Sequence, residues 1–105
     1  MSLVDSIDVI VRSLPHEERF LLADQLVRAA RSVPTNIAEG HGRYTPADFA
    51  RFLTIAHASL SEVDTHLEIA KRRGYLDEHQ WVTIDASVQE LGQMIRSFRA
   101  ALRRR

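Results

Sequence analysis

TPADFARFLTIAHASLSEVDTHLEIAKRRG, residues 45–74, carries the pattern that decides the fold. Thr45 stands where a helix N-cap accepts a backbone N–H, Pro46 fits the first helical position, and Asp48 complements the positive end of the helix. From Phe49 the apolar positions Leu53, Ala56, Leu60, Val63, Leu67 and Ala70 alternate steps of four and three without a miss, the seam of a packed helix. Gly74 supplies a C-terminal stop. Residues 46–73 predict a helix of roughly 42 Å at 1.5 Å per residue. Its seam needs other helices to cover it.

Downstream, Gly74-Tyr75-Leu76 reads as a turn, and Asp77 with Gln80 three residues on gives another capping signal. Trp81, Ile84, Val88, Leu91, Ile95, Phe98 and Leu102 then repeat the three-and-four alternation. Upstream, Leu3, Ile7, Ile10 and Leu14 mark a short first helix ending before Pro15. Pro15 suits the first turn of a second helix, with Glu17 and Glu18 complementing its dipole and Leu22, Leu26, Ala29 and Val33 as its stripe. Pro34 removes an N–H and crowds the carbonyl of Ala30, which predicts a kink or break, with helix resuming to about Glu39. Gly40 and Gly42 are expected to end it in left-handed conformations. Short connections between such helices predict an all-α, antiparallel up-down four-helix bundle, helix two kinked or broken at Pro34, as a single domain over residues 1–105.

Composition narrows the function classes. Apolar residues make up 45% and charged residues 27% of the 105, which is ordinary for a globular protein, and there is no cysteine, which excludes disulfides and thiolate chemistry. Asp5 and Asp8 interrupt the N-terminal stretch where a secretory signal would be basic and then apolar, and no run approaches a membrane span, so a cytoplasmic protein without membrane contact is expected. Fourteen basic residues balance fourteen acidic ones, so no global field points to nucleic acid. The balance fails locally, because Arg96, Arg99, Arg103, Arg104 and Arg105 fall in a final stretch without an acid. Lys71 is the only lysine, and arginine favours bidentate and stacked contacts.

Two blocks resemble a known family. LPHEERFLLADQLVRAARSVPTNIAEGHGR carries Ser32, Pro34, Asn36, Ile37, Ala38, Glu39, Gly40, Gly42 and Arg43, and FARFLTIAHASLSEVDTHLEIAKRRGYL carries Phe52, Leu53, Ala56, Ser59, Leu60, Glu62, Gly74 and Tyr75. In these positions the chain resembles the bacterial four-helix-bundle proteins of the 23S rRNA-intervening sequence family. The resemblance implies a homopentameric ring in a family whose cellular role is mostly unassigned. A related branch serves diversity-generating retroelements, binding a reverse transcriptase and nucleic acid through a basic surface. The chain departs from the family in a shorter first helix, in His41 where an aromatic is usual, and in its net charge of zero.

Candidate sites follow from polar and apolar residues out of pattern. Asn36, Glu39, Arg43, Arg51, Ser59 and Glu62 lie in or beside apolar stripes and are expected to form a structural hydrogen-bonded network tying helix two to helix three. Phe52, Ile55, Ile69, Val82 and Met94 widen the stripes of helices three and four, by simple broadening of the core face or as a subunit interface. Arg96, Arg99, Arg103, Arg104 and Arg105 partly complement the negative end of helix four and partly offer contacts to RNA or DNA. A di-iron site needs two Glu-x-x-His motifs, whereas Glu62 and His66 are four apart and helix four has no His after His79, so no metal or cofactor is expected. Serines on helices and GHGRY without a P-loop lysine give catalysis no support. The expected function is a non-enzymatic homo-oligomeric scaffold, with a nucleic-acid-binding accessory protein as the alternative.

Overall fold

The computed structural model describes residues 2–105. Four helices follow one another: α1 (Leu3–Arg12), α2 (Leu22–His41), α3 (Pro46–Arg72) and α4 (Glu78–Arg103), with a one-turn 3-10 helix (His16–Glu18) between the first two. They form an all-α four-helix bundle 46 Å long and 24 by 20 Å across. The long helices start as their sequences require. Thr45 Oγ1 accepts the N–H of Asp48 at 3.1 Å, and Asp77 and Gln80 close a reciprocal capping box on α4. Gly74 turns the chain out of α3 with a φ of 78°, a left-handed conformation that favours glycine.

The core is the union of the apolar stripes. Ile7 and Ile10 of α1, Leu22, Leu26 and Val33 of α2, the α3 series from Ala50 to Ala70, and Ile84, Val88, Ile95 and Leu102 of α4 join in one hydrophobic cluster. Burial of this surface is the main force holding the helices together. The most extensive helix contact is α2 against α3, followed by α3 against α4.

Two local expectations are corrected and a third is narrowed. The second helix starts at Leu22, not at Pro15, because Pro15 is extended (ψ 149°) and Leu21 lies outside the helical region. A helix continuous from Pro15 would place Glu18 one turn before Leu22, on the stripe that enters the core; the break lets its carboxylate turn to polar partners instead. Of the kink or break expected at Pro34, the break is absent: α2 runs from Leu22 through to His41. Side chains there bond back to carbonyls of the preceding turn, Thr35 Oγ1 to Arg31 O at 2.8 Å and the Asn36 amide to Ser32 O at 2.8 Å. Gly40 and Gly42 are not left-handed, since Gly74 is the only residue with positive φ among those described. Gly40 is instead buried where α2 meets α3: a Cβ there would lie 2.8 Å from both Phe49 Cδ1 and Phe52 Cβ. Its missing side chain sets the distance between the helices.

Helix α1 covers only part of α4. Leu3 and Ser6 share a groove with Ser87, Leu91 and Met94, and Val9 and Ile10 share one with Gln80, Thr83 and Ile84. Past that level Phe98, expected in the seam, is 47% exposed and leans on Phe49 with ring centroids 5.1 Å apart. No helix among the described residues is long and apolar enough to cross a membrane.

Candidate functional site

The polar residues singled out on α2 and α3 fall into three groups. Asn36 donates to Ser32 Oγ at 3.0 Å, and Ser32 Oγ lies 2.7 Å from Ser59 Oγ, a half-buried relay that ties α2 to α3. Near the α2–α3 turn, Arg43 reaches Glu39 at 3.4 Å and Arg51 reaches Asp48 at 3.0 Å, while both guanidinium groups cover the Phe52 ring at 4.5 and 4.7 Å. Glu62 lies apart, facing not an arginine but His66 Nε2 at 3.8 Å. Glu39 and Glu62 thus do not share one network, because each pairs within its own helix, with Arg43 and with His66, and both carboxylates are turned toward solvent. Ser32, which had no assigned part, is the hinge of the relay.

The turn after α2 also borders an open cleft of about 810 Å³ lined by Thr35, Glu39, Arg43, Tyr44 and Asp48. Tyr44 stands wholly in solvent beside it.

At the opposite end of the bundle Glu18 is nearly buried and accepts hydrogen bonds from Arg73 Nη1 at 2.7 Å and from the Tyr75 hydroxyl at 2.9 Å. The Tyr75 hydrogen bond, with the Arg73 contact, holds the Glu18 carboxyl below its usual range against the opposing effect of burial. The same bond pushes the Tyr75 hydroxyl up. This triad pins the segment between α1 and α2 to the α3–α4 turn. Its members are 55 and 57 residues apart, so no local periodicity signals it.

The five arginines of the C-terminal stretch are also separated. Arg96 Nη1 lies 3.1 Å from His57 Nε2 and Arg99 Nη1 donates to Thr54 Oγ1 at 3.4 Å, which brings these two onto the seam between α3 and α4. Burial, then the charges of Arg96 and Arg99, push the His57 imidazole down, toward its neutral form. Arg103 borders Ile55, Ala50 and Arg51, and Arg104 and Arg105 close the chain in solvent. None of the five forms an ion pair among the described residues. Farther down the seam, the Gln89 amide donates to Asp85 Oδ1 at 3.4 Å, and burial, then the Asp85 charge, pushes the Asp64 carboxyl up.

The apolar surplus is distributed over several surroundings. Met94 borders the α1–α4 groove, Ile55 sits by Arg103, Ile69 lies among Asp64, Glu68 and Arg72, and Phe52 is roofed by arginines. Val82 is 55% exposed on α4. Among the described residues no group of three or more His, Cys, Asp or Glu side chains could hold a metal ion.

The family model described as 23S rRNA-intervening sequence protein matches residues 1–97. The chain belongs to that family. A crystal structure of a protein of unknown function from the S23 ribosomal protein family of Bacteroides thetaiotaomicron superposes on this member with a TM-score of 0.85 at 25% identity, over 93% of this chain and 88% of that one. A search of the curated proteins finds no match. Within the 23S rRNA-intervening sequence fold, the Pro34–Gly40 motif is accounted for by helix contact: its serine and asparagine relay to α3, and its glycine lets Phe49 and Phe52 approach.

Proposed function

We propose that this family member is a non-enzymatic, cytoplasmic, homo-oligomeric scaffold or interaction module. One observation carries the reading: large apolar and aromatic side chains remain at the surface of a bundle whose core is already closed. Phe20 is 77% exposed, Leu21 61%, Met94 61% and Val82 55%. Contact between copies removes such surface from water and stabilises a small domain that buries a limited fraction of its own. The family resemblance makes five copies the first number to test. Light scattering on purified protein at micromolar concentration is expected to give several chain masses, and a monomer there overturns the reading.

A second reading, a nucleic-acid-binding accessory protein, is favoured by the arginines without acidic partners, which a ring would multiply. It requires salt-sensitive binding of RNA or DNA that weakens when Arg103, Arg104 and Arg105 become alanine. Binding unchanged by those substitutions rules out this use of the tail.

A further inference from the structure

Arg96 and Arg99 are held in place without being neutralised. Arg96 Nη1 lies 3.1 Å from His57 Nε2, the pair lying across Gly92, and Arg99 Nη1 donates to Thr54 Oγ1 at 3.4 Å. A guanidinium can only donate, so Nε2 accepts, which makes His57 the neutral ring with its proton on Nδ1. Thr54 in turn gives its hydroxyl proton to Ala50 O at 3.2 Å and has only lone pairs to offer Arg99. Each guanidinium is thus oriented by one neutral acceptor, which engages one of its five N–H groups and cancels none of its charge. Neither arginine forms an ion pair among the described residues.

The surroundings add cations and no acid. The contacts of His57 with Arg96 and of Thr54 with Arg99 set an antiparallel register, three residues forward on α3 for three back on α4. One further step brings Arg103 to the level of Ala50 and Arg51, and these residues, with Ala47, Thr54 and Ile55, line an open groove of about 380 Å³. From Phe49 to Ser61 on α3 and from Leu91 to Arg105 on α4 there is no Asp or Glu. The nearest acids in sequence are turned elsewhere: Asp48 to Arg51 at 3.0 Å, Glu62 to His66 at 3.8 Å, and Glu90 into the groove beside α1.

Like charge therefore accumulates on a rigid frame. Burial, then Arg96 and Arg99, push the His57 imidazole down. An anion at the two guanidinium groups relieves that repulsion and takes N–H groups that have no partner among the described residues. The frame also limits the size of the ligand. Arg96 to Arg103 span only about 10 Å of helix, and a polymer backbone followed down the seam meets Asp64 about two turns past His57, already under repulsion from Asp85. A single tetrahedral anion stays clear of both carboxylates.

We propose that the upper α3–α4 seam binds one phosphate group, as inorganic phosphate or on a small phosphomonoester, with Arg96 and Arg99 taking its oxygens and Arg103 adding charge one turn along. Guanidinium forks suit two oxygens of such a group side by side. The site goes beyond both functional readings: it does not depend on the number of copies, and it uses the groove and a compact anion where the nucleic-acid reading uses the chain end and a polymer.

The test titrates the full chain with sodium phosphate at constant ionic strength and follows the His57 imidazole by NMR. Phosphate should shift its signals saturably and raise the pH at which His57 titrates, because a bound anion offsets the two guanidinium charges. Methyl phosphate is the second arm: an equal response supports a monoester ligand, and a response to inorganic phosphate alone supports the free ion. In Arg96→Gln with Arg99→Gln, His57 should titrate at higher pH even without phosphate, and phosphate affinity should fall at least about tenfold. Arg104→Gln with Arg105→Gln should leave the response unchanged. Circular dichroism and light scattering check that helix content and mass are kept; if the double Arg96 and Arg99 variant loses helix, the single variants Arg96→Gln and Arg99→Gln decide, and unchanged phosphate affinity in both overturns the site. It is also overturned if the wild type shows no saturable response, if the response survives Arg96→Gln with Arg99→Gln, or if it is lost with Arg104 and Arg105. A single-stranded oligonucleotide that gives the same His57 response at a lower concentration of phosphate groups overturns the compact ligand and assigns the seam to the nucleic-acid reading.

Discussion

Gly40→Ala isolates the reason for the glycine in the α2–α3 motif. The added Cβ would lie 2.8 Å from Phe49 Cδ1, which a ring rotation can relieve, and 2.8 Å from Phe52 Cβ, which is fixed to the α3 backbone. The helices must separate. Overpacking of this kind costs about 1–3 kcal/mol. Against it stands the better helix propensity of alanine, at most about 1 kcal/mol and less here because helix ends fray. The net expectation is a loss of roughly 1–2 kcal/mol, or about 4–16 °C in Tm for a domain near 100 residues. Gly42→Ala is the internal control. Gly42 has a φ of −80°, and the nearest atoms to its Cβ would be carbonyl oxygens at 3.6 and 3.9 Å, so alanine fits. That variant should be neutral or stabilised by about 0.4–1 kcal/mol through the unfolded chain. Thermal unfolding followed by circular dichroism measures both. A Gly40→Ala protein as stable as the wild type, or more stable, would refute close helix approach as the role of this glycine.

Glu18 should make stability pH-dependent. Its carboxyl is held below the ordinary value of 4.5 in the folded chain, so the contribution is complete above that value and is lost as pH falls through the lower folded one; Glu18→Gln should flatten this acid limb in urea titrations at stepped pH. Ser59→Ala should cost about 1 kcal/mol by stranding the Ser32 hydroxyl, whereas Glu39→Ala and Glu62→Ala, removing exposed i,i+4 pairs, should each stay within about 0.5 kcal/mol by the same denaturation assay. Leu67→Ala, at a fully buried position of α3, should lower stability by about 2–5 kcal/mol, the largest loss of the set. Asp77→Ala, which opens the capping box of α4, should cost about 1 kcal/mol and fray that helix first in hydrogen exchange.

The helices whose starts and buried faces depend on local chemistry were legible in the chain. Thr45-Pro46 and Asp77-Gln80 start α3 and α4 because caps are contacts within four residues, and the alternation from Leu53 to Ala70 identifies the buried face because a helix repeats over a similar span. Family membership was equally legible, since Ser32, Asn36 and Gly40 occur in a fixed order around Pro34. Features that depend on residues far apart in the chain were not legible there. Pro15 reads locally as a helix start, yet Glu18 is drawn to Arg73 and Tyr75, more than 50 positions away, and α2 begins only at Leu22. Pro34 reads as a kink or break, yet α2 runs through it, with Thr35 and Asn36 bonding back to carbonyls of the preceding turn and α3 lying alongside. The contacts across the α3–α4 seam could not be read from the chain at all, because His57 meets Arg96, and Thr54 meets Arg99, only once α3 and α4 are packed antiparallel. Periodicity fixes which side of a helix is buried; only tertiary packing decides which polar residues of two helices face each other, and that is where this protein's candidate surfaces lie.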